Sequence, residues 1–299
     1  MSIAVTINGA DMIDQNFTNA IIPPQPRVTS FELTPGKTAA LNGSTITITV
    51  KALNVTVIDT NFNGMANITV TANKNANAVI YPPNVTFNNG IAILPVTSNI
   101  VQFVTVTATN GSITGSTDIV FADRVFDLHL GWNLISIPSF ADPSSVSLAL
   151  KNVKNNGVVG YDPATKTFST PTDLQPLYGY WINVTSPNQS IGFIANIMNP
   201  TGFPPSRDLY EGWNLIGISA DHNADPADSI SGIVLFHDDL VSSGERLYTR
   251  LIDKSSGNFY TGAAIDGAQL KQGQGYWLFI KSIPNKNVNN VPWSGNPWY

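Results

Sequence analysis

Apolar and polar residues alternate with a period of two over much of the first 120 positions, which predicts short strands with one buried face. In residues 44–50, Ile46, Ile48 and Val50 fall on one face and Thr45, Thr47 and Thr49 on the other. Residues 55–59 and 67–72 read as strands on either side of Thr60-Asn61-Phe62-Asn63-Gly64, where Asn and Gly supply the left-handed positions of a tight turn. Residues 101–109 and 112–121 flank Asn110-Gly111, a hairpin signal. About seven strands at this spacing predict a β-sandwich over 28–124. Residues 1–27 stand apart: Ile3, Val5 and Ile7 alternate before the stiff Pro23-Pro24-Gln25-Pro26. Their favoured reading is an extra strand of the same domain. The alternative is a strand-exchange tail that pairs with a neighbouring subunit's sheet edge.

The second half carries an internal repeat. Asp127-Leu128-His129-Leu130-Gly131-Trp132-Asn133-Leu134-Ile135 returns 81 residues later as Asp208-Leu209-Tyr210-Glu211-Gly212-Trp213-Asn214-Leu215-Ile216. Gly179-Tyr180-Trp181-Ile182 returns 96 residues later as Gly275-Tyr276-Trp277-Leu278. The copies span 125–205 and 206–299, the second ending in an aromatic tail. Between their motifs, Asp142-Pro143 and Asp225-Pro226 read as helix caps. Val146, Ala149, Leu150 and Val153 then give an amphipathic period, as Ile230, Ile233 and Val234 do more briefly. Strands are predicted at 158–161 and 167–169.

In the first half, Val57-Ile58-Asp59, Asn63-Gly64, Ile68-Thr69-Val70, Asn89-Gly90-Ile91-Ala92, Val104-Thr105-Val106-Thr107-Ala108 and Asp118-Ile119-Val120-Phe121 follow in order. This series resembles the bacterial immunoglobulin-like repeats of the invasin and intimin type. The resemblance implies a spacer or adhesive-stalk domain without catalytic residues. The Gly-Trp-Asn-Leu-Ile and Gly-Tyr-Trp pattern resembles a duplicated module of archaeal S-layer-associated and other modular surface proteins, and of some secreted bacterial ones. That resemblance implies a surface location and brings no active site with it. The expected fold class is mainly all-β, with an immunoglobulin-like β-sandwich followed by two β-rich repeats, each with a short helix.

Charged residues make up only 12% of the 299, with 15 Lys plus Arg against 20 Asp plus Glu. No basic run exists to neutralise phosphates, which argues against nucleic acid. Cysteine is absent, removing disulfides, thiolate nucleophiles and Cys-ligated zinc. The first residues lack a signal-peptide pattern and no run of 18 apolar residues occurs, so a mature form, or export by another route, and no transmembrane segment are expected. Eight Asn-X-Ser/Thr sequons, at Asn16, Asn42, Asn54, Asn67, Asn84, Asn110, Asn183 and Asn188, mark glycosylation candidates in a small excess over chance.

Among candidate sites, Asp59, Asn61 and Asn63 match the opening of a calcium loop. Position twelve is Val70 where a bidentate Glu is needed, so a plain turn is favoured and no cofactor is expected. Asp221, His222 and Asp225 are a second weak metal candidate. The repeated tryptophans are expected in the core rather than on a sugar-binding platform. Trp293, Trp298 and Tyr299, in the irregular tail, are candidates for a contact surface, although a tail folded back on its own domain is the favoured reading. Three His, three Glu and no Gly-x-Ser-x-Gly elbow argue against an enzyme. The reading that follows is a non-catalytic extracellular surface protein — a stalk, S-layer-associated component or filament subunit — working through self-assembly or contacts with other surface proteins. A carbohydrate- or host-binding adhesion module is the alternative, and a virion surface or fibre protein a third.

Overall fold

The computed structural model describes residues 28–195, 205–219, 247–265, 268–283 and 288–293. The chain is mainly β. Its first domain comprises β1 (Ser30–Pro35), β2 (Ala39–Leu41), β3 (Thr45–Asn54), β4 (Val57–Ile58), β5 (Met65–Ala72), β6 (Val79–Ile80), β7 (Asn84–Thr86), β8 (Ile91–Ser98), β9 (Gln102–Asn110) and β10 (Ile113–Ala122). One sheet runs β1-β3-β8-β6 with β4 beside β3, and the other runs β2-β10-β9-β5-β7. This is an immunoglobulin-like sandwich. Its first strand is split: β1 pairs antiparallel with β3, whereas β2 crosses over to pair parallel with β10. Crossing brings the Phe31 carbonyl against Gly115, where a Cβ would stand 1.9 Å from that oxygen, so a side chain there would push β1 away. Ile46, Ile48 and Val50 turn into the core against Leu94, Val96, Val106 and Ile119. Each such burial contributes about 1.5–3 kcal/mol. Strand β4 is shorter than its sequence suggests, because Val55 adopts a left-handed φ of 60°.

A single residue, Asp123, separates β10 from the next strand, so nothing flexible joins sandwich and repeats. Ala39, Phe103, Val120 and Ala122 of the sandwich pack with Ile194 of the first repeat. Gly192 approaches Val120 so closely that a Cβ would sit 2.3 Å from its Cγ1. Buried polar groups seal the same junction. The Thr38 hydroxyl donates to the Ser190 carbonyl at 3.0 Å, and the Asn152 amide donates to both the Thr38 and Ser190 carbonyls. At the rim, Lys37 pairs with Asp127 and Lys151 with Asp118, each at 2.9 Å.

The first repeat contains β11 (Arg124–Leu128), β12 (Gly131–Ser136), α1 (Val146–Ala149), β13 (Asn155–Asp162), β14 (Thr167–Ser169), β15 (Gly179–Val184) and β16 (Gln189–Phe193). The second contains β17 (Arg207–Leu209), β18 (Gly212–Ile216), β19 (Tyr248–Asp253), β20 (Asn258–Thr261), β21 (Tyr276–Ile280) and β22 (Val291–Trp293). Both build the same pair of sheets. The ribbons β11-β16 and β17-β22 stand beside four-stranded sheets ordered β12-β15-β13-β14 and β18-β21-β19-β20. The helix departs from its sequence signal. It is only four residues long and its N-cap is Ser145, not Asp142, which lies in the preceding loop. Ala149, Leu150 and Val153 are nonetheless buried. The matching Asp225 and Ile230–Val234 region lies outside the described residues.

The two repeats meet about a local two-fold axis. Ser136 N–H donates to the Gly273 carbonyl at 2.9 Å, and the equivalent Gly217 N–H donates to the Leu177 carbonyl at 3.0 Å. Bridges between Ile135 and Gln274 and between Tyr178 and Ile216 repeat the same symmetry. Such reciprocity is the mark of an isologous interface, here within one chain. Ser136 and Gly217, equivalent positions, face each other at the axis, where a Cβ on Gly217 would lie 2.1 Å from that of Ser136.

Gly217→Ala is therefore expected to overpack the axis and lower stability by about 1–3 kcal/mol, read as a fall in denaturation midpoint. At the sandwich junction, the Lys37 hydrogen bond and then that from Ser190 hold the Asp127 carboxyl below its usual range. A depressed folded-state pKa gives stability above the unfolded pKa that is lost as pH falls through the folded one. A Tm-against-pH series should therefore show a small acid-side loss below about pH 4, reduced in Asp127→Asn.

Candidate functional site, an aromatic face across the repeats

The Gly-Trp-Asn motif is first a structural device. Gly131 and Gly212 take left-handed φ values of 88° and 97° with open space around the missing Cβ, so conformation and not crowding requires glycine. The following Asn then locks the loop. Asn133 accepts from His129 N–H at 2.9 Å and donates to the carbonyls of His129 and Gly131, and Asn214 repeats all three bonds with Tyr210 and Gly212. The Gly-Tyr-Trp motif is equally structural at its tyrosine. Tyr180 and Tyr276 point inward, and their hydroxyls accept from Gln175 and Lys271 N–H at 2.8 and 2.6 Å. Burial, the largest influence, pushes both phenols well above their usual range.

Period-two alternation then decides the tryptophans. With Tyr180 and Ile182 taking the inner face of β15, Trp181 must face out, and Trp277 does so on β21 for the same reason. The four repeated tryptophans are thus not core residues, contrary to the expectation from their apolar neighbours. Trp132 is 51% exposed and Trp181, Trp213 and Trp277 are half-buried. They are linked edge to face, Trp132 with Trp181 at 6.4 Å and Trp213 with Trp277 at 6.3 Å, an arrangement favoured by ring quadrupoles. Tyr161 and Phe168 of the first repeat touch Trp277 of the second, at 5.0 and 6.1 Å. Phe279 joins beside Trp213 at 5.1 Å, with the Arg250 guanidinium over its ring. Sequence reasoning missed Tyr161, Phe168 and Phe279. The signal was present in Tyr276-Trp277-Leu278-Phe279-Ile280, where both alternating faces are apolar.

Arg207 was missed as well. It is buried, donates to the carbonyls of Leu177 and Leu215 at 3.2 and 2.9 Å, and stacks 3.8 Å from the Tyr178 ring centroid. Desolvation pulls its pKa down, opposed by the surrounding Tyr178 and Tyr180. Tyr178 and Asp173 border a cleft of about 390 Å³. Both Asp173 oxygens accept hydroxyl hydrogen bonds, from Ser144 and Thr172.

No family model matches the chain, and no curated protein matches it. Among solved structures, part of the chain is similar to a glycosyl hydrolase family 2 member from Bacteroides cellulosilyticus. The likeness has 11% identity and a TM-score of 0.28, covering 32% of this chain and 14% of that one. At that level it carries no argument about activity.

The remaining sequence candidates are dispersed. Asp59 is buried and its Oδ1 accepts from Asn61 N–H, while Asn63 Oδ1 accepts from Asn89 N–H. These are main-chain hydrogen bonds of the turn, and among the described residues no three His, Cys, Asp or Glu side chains gather. Trp293 is not on a contact surface but follows the fold-back reading: it is 2% exposed in β22, packed with Leu209 and Val291. Trp298, Tyr299, Asn16, Asp221, His222, Asp225, Ile3, Val5 and Ile7 lie outside the described residues. The other sequons are spread over both halves, with Asn42, Asn67, Asn84 and Asn188 exposed and Asn54, Asn110 and Asn183 partly so. No helix of the described residues is long and apolar enough to cross a membrane.

Trp293→Ala is expected to cost about 3–5 kcal/mol, whereas Trp132→Ala should cost under about 1 kcal/mol, because its outer face already meets solvent. Denaturant titration of the two variants separates core from surface.

Proposed function

We propose that this chain is a non-catalytic extracellular surface protein in which a sandwich spacer holds a paired-repeat head rigidly, and that it works through contacts with other surface proteins or copies of itself. The observation that supports this reading is the junction. A one-residue link, an apolar seam and a buried Thr38-Ser190-Asn152 network fix the head on the spacer, which suits a stalk or lattice component whose modules must keep their orientation. N-linked glycans and a role in a filament or S-layer-associated assembly belong to the same proposal.

The aromatic face favours a second reading, adhesion to a carbohydrate or host surface. Exposed indole and phenyl faces stack on sugar rings, and large amphipathic rings lose little conformational entropy on binding.

Light scattering over a concentration series with negative-stain microscopy tests the first reading. Ordered filaments or sheets are the expected result. A monodisperse particle near 32.1 kDa at every concentration overturns self-assembly. Glycan-array binding lost in Trp132→Ala would then support adhesion.

A further inference from the structure

The two repeats solve the same packing problem differently at one position, and the difference points to a modification site. In the second repeat Trp213 stands directly across the β18-β21 pair from Phe279, whose ring covers it at 5.1 Å. In the first repeat the equivalent Trp132 stands across from Asn183 on the β12-β15 pair. An asparagine is too short to cover an indole, and Trp132 is left 51% exposed while Trp213 is half-buried. Asn183-Val184-Thr185 is a sequon. We propose that Asn183 carries an N-linked glycan whose first sugar packs on Trp132, taking the place that Phe279 fills in the second repeat.

The local geometry suits attachment. Asn183 lies on the outward face with Trp181 two residues before it on the same strand and Trp132 opposite, the two indoles at 84° to each other. Its side-chain amide makes no hydrogen bond to the described residues, unlike that of Asn110, which donates to the Met65 carbonyl at 2.7 Å. On its other flank the β13-β15 register skips between Asn155 and Val158. Gly157 in that bulge, at a φ of 119°, has nothing within 4 Å of where a Cβ would be. Asn183 therefore faces an indole on one side and the strand bulge at Gly157 on the other. Thr185 is exposed, so the sequon hydroxyl is accessible. The apolar face of a pyranose ring against an indole replaces exposed aromatic surface with contact, as a cross-strand side-chain pair does.

The glycosyl group comes from a polyprenyl-diphosphate-linked oligosaccharide. The bond from its anomeric carbon to the phosphate oxygen breaks and one from that carbon to Asn183 Nδ2 forms. The polyprenyl diphosphate leaves, and the transferring enzyme's base takes one amide proton.

This inference rests on the extracellular reading above, and the experiment distinguishes the two. Glycopeptide mass spectrometry of protein secreted from an N-glycosylating host reads occupancy at each sequon, and thermal denaturation reads coupling in a Trp132→Ala, Asn183→Gln double-mutant cycle. Asn183 should be occupied. Asn183→Gln should lower Tm by about 2–4 °C in glycosylated protein, and have no such effect in Trp132→Ala or in protein made without glycosylation. A bare Asn183 beside other occupied sequons overturns the inference and leaves the surface reading standing. Bare sequons throughout overturn the inference and count against a glycosylated surface protein. An occupied Asn183 whose Tm effect is undiminished in Trp132→Ala overturns the contact with the indole.

Discussion

The reciprocal main-chain bonds at the local two-fold axis are the constraint on which the head depends. The outer face of each four-stranded sheet carries a pair of edge-to-face tryptophans, beyond the ribbon that covers its inner side. Exchanging Ser136 and Gly217 N–H groups for the carbonyls of Gly273 and Leu177 pairs backbone groups that would otherwise be buried without partners, at a desolvation cost of about 1–3 kcal/mol each. Those bonds fix the segments before both Gly-Tyr-Trp motifs. They also place Tyr161 and Phe168 against Trp277, so the aromatic face continues from one copy into the other.

Around that axis the symmetry is broken in a correlated way. Leu177 and Gly273 are equivalent, and both adopt left-handed φ, at 70° and 75°. Leu177 accepts the strain while its side chain fills the core of the second repeat. Gly273 has no side chain, and Phe126 packs over its backbone, where a Cβ would lie 2.5 Å from the ring. The residue equivalent to Phe126 is Arg207, which serves the Leu177 side with two carbonyl hydrogen bonds and a stacked tyrosine. A buried guanidinium costs free energy unless its donors and ring faces are used. Here these contacts offset part of the cost, and they fix which repeat occupies which side. An aromatic ring needs glycine beneath it, whereas an arginine needs carbonyls and tolerates leucine.

Much of this was legible in the chain before any coordinates. Alternation located β3, β9 and β10, because Ile46, Ile48 and Val50 face a core shared by two sheets. Self-comparison located the repeats, because duplicated strands keep their turn chemistry, Gly131 and Gly212 above all. The tryptophans were misread for a physical reason. An apolar neighbourhood in sequence predicts burial only when one face of a strand is apolar. In Tyr180-Trp181-Ile182 the neighbours of the indole lie on the opposite face. For Trp293 the chain suggests a tail folded back on its domain, but a short segment rich in Pro, Gly and Asn gives no hint that β22 pairs with β17. Arg207 was invisible because its role arises from the meeting of two repeats, and no local pattern encodes that contact.

Rigidity at the sandwich junction gives the exposed face its physical meaning. A partner that binds a flexibly tethered head loses affinity to the entropy of fixing it, whereas a pre-oriented face spares part of that cost. Asp123 leaves no slack between β10 and β11, and Gly192 brings the two domains into backbone-close contact. The absence of a Cβ at Gly192 therefore matters far from where it sits. A side chain there would separate β16 from Val120 and disturb the Thr38 and Ser190 hydrogen bonds. Those bonds orient the ribbon, the ribbon flanks the first repeat, and the first repeat sets half of the aromatic face. Close approach at two glycines, Gly192 at the junction and Gly217 at the axis, thus carries orientation from the sandwich to the aromatic face.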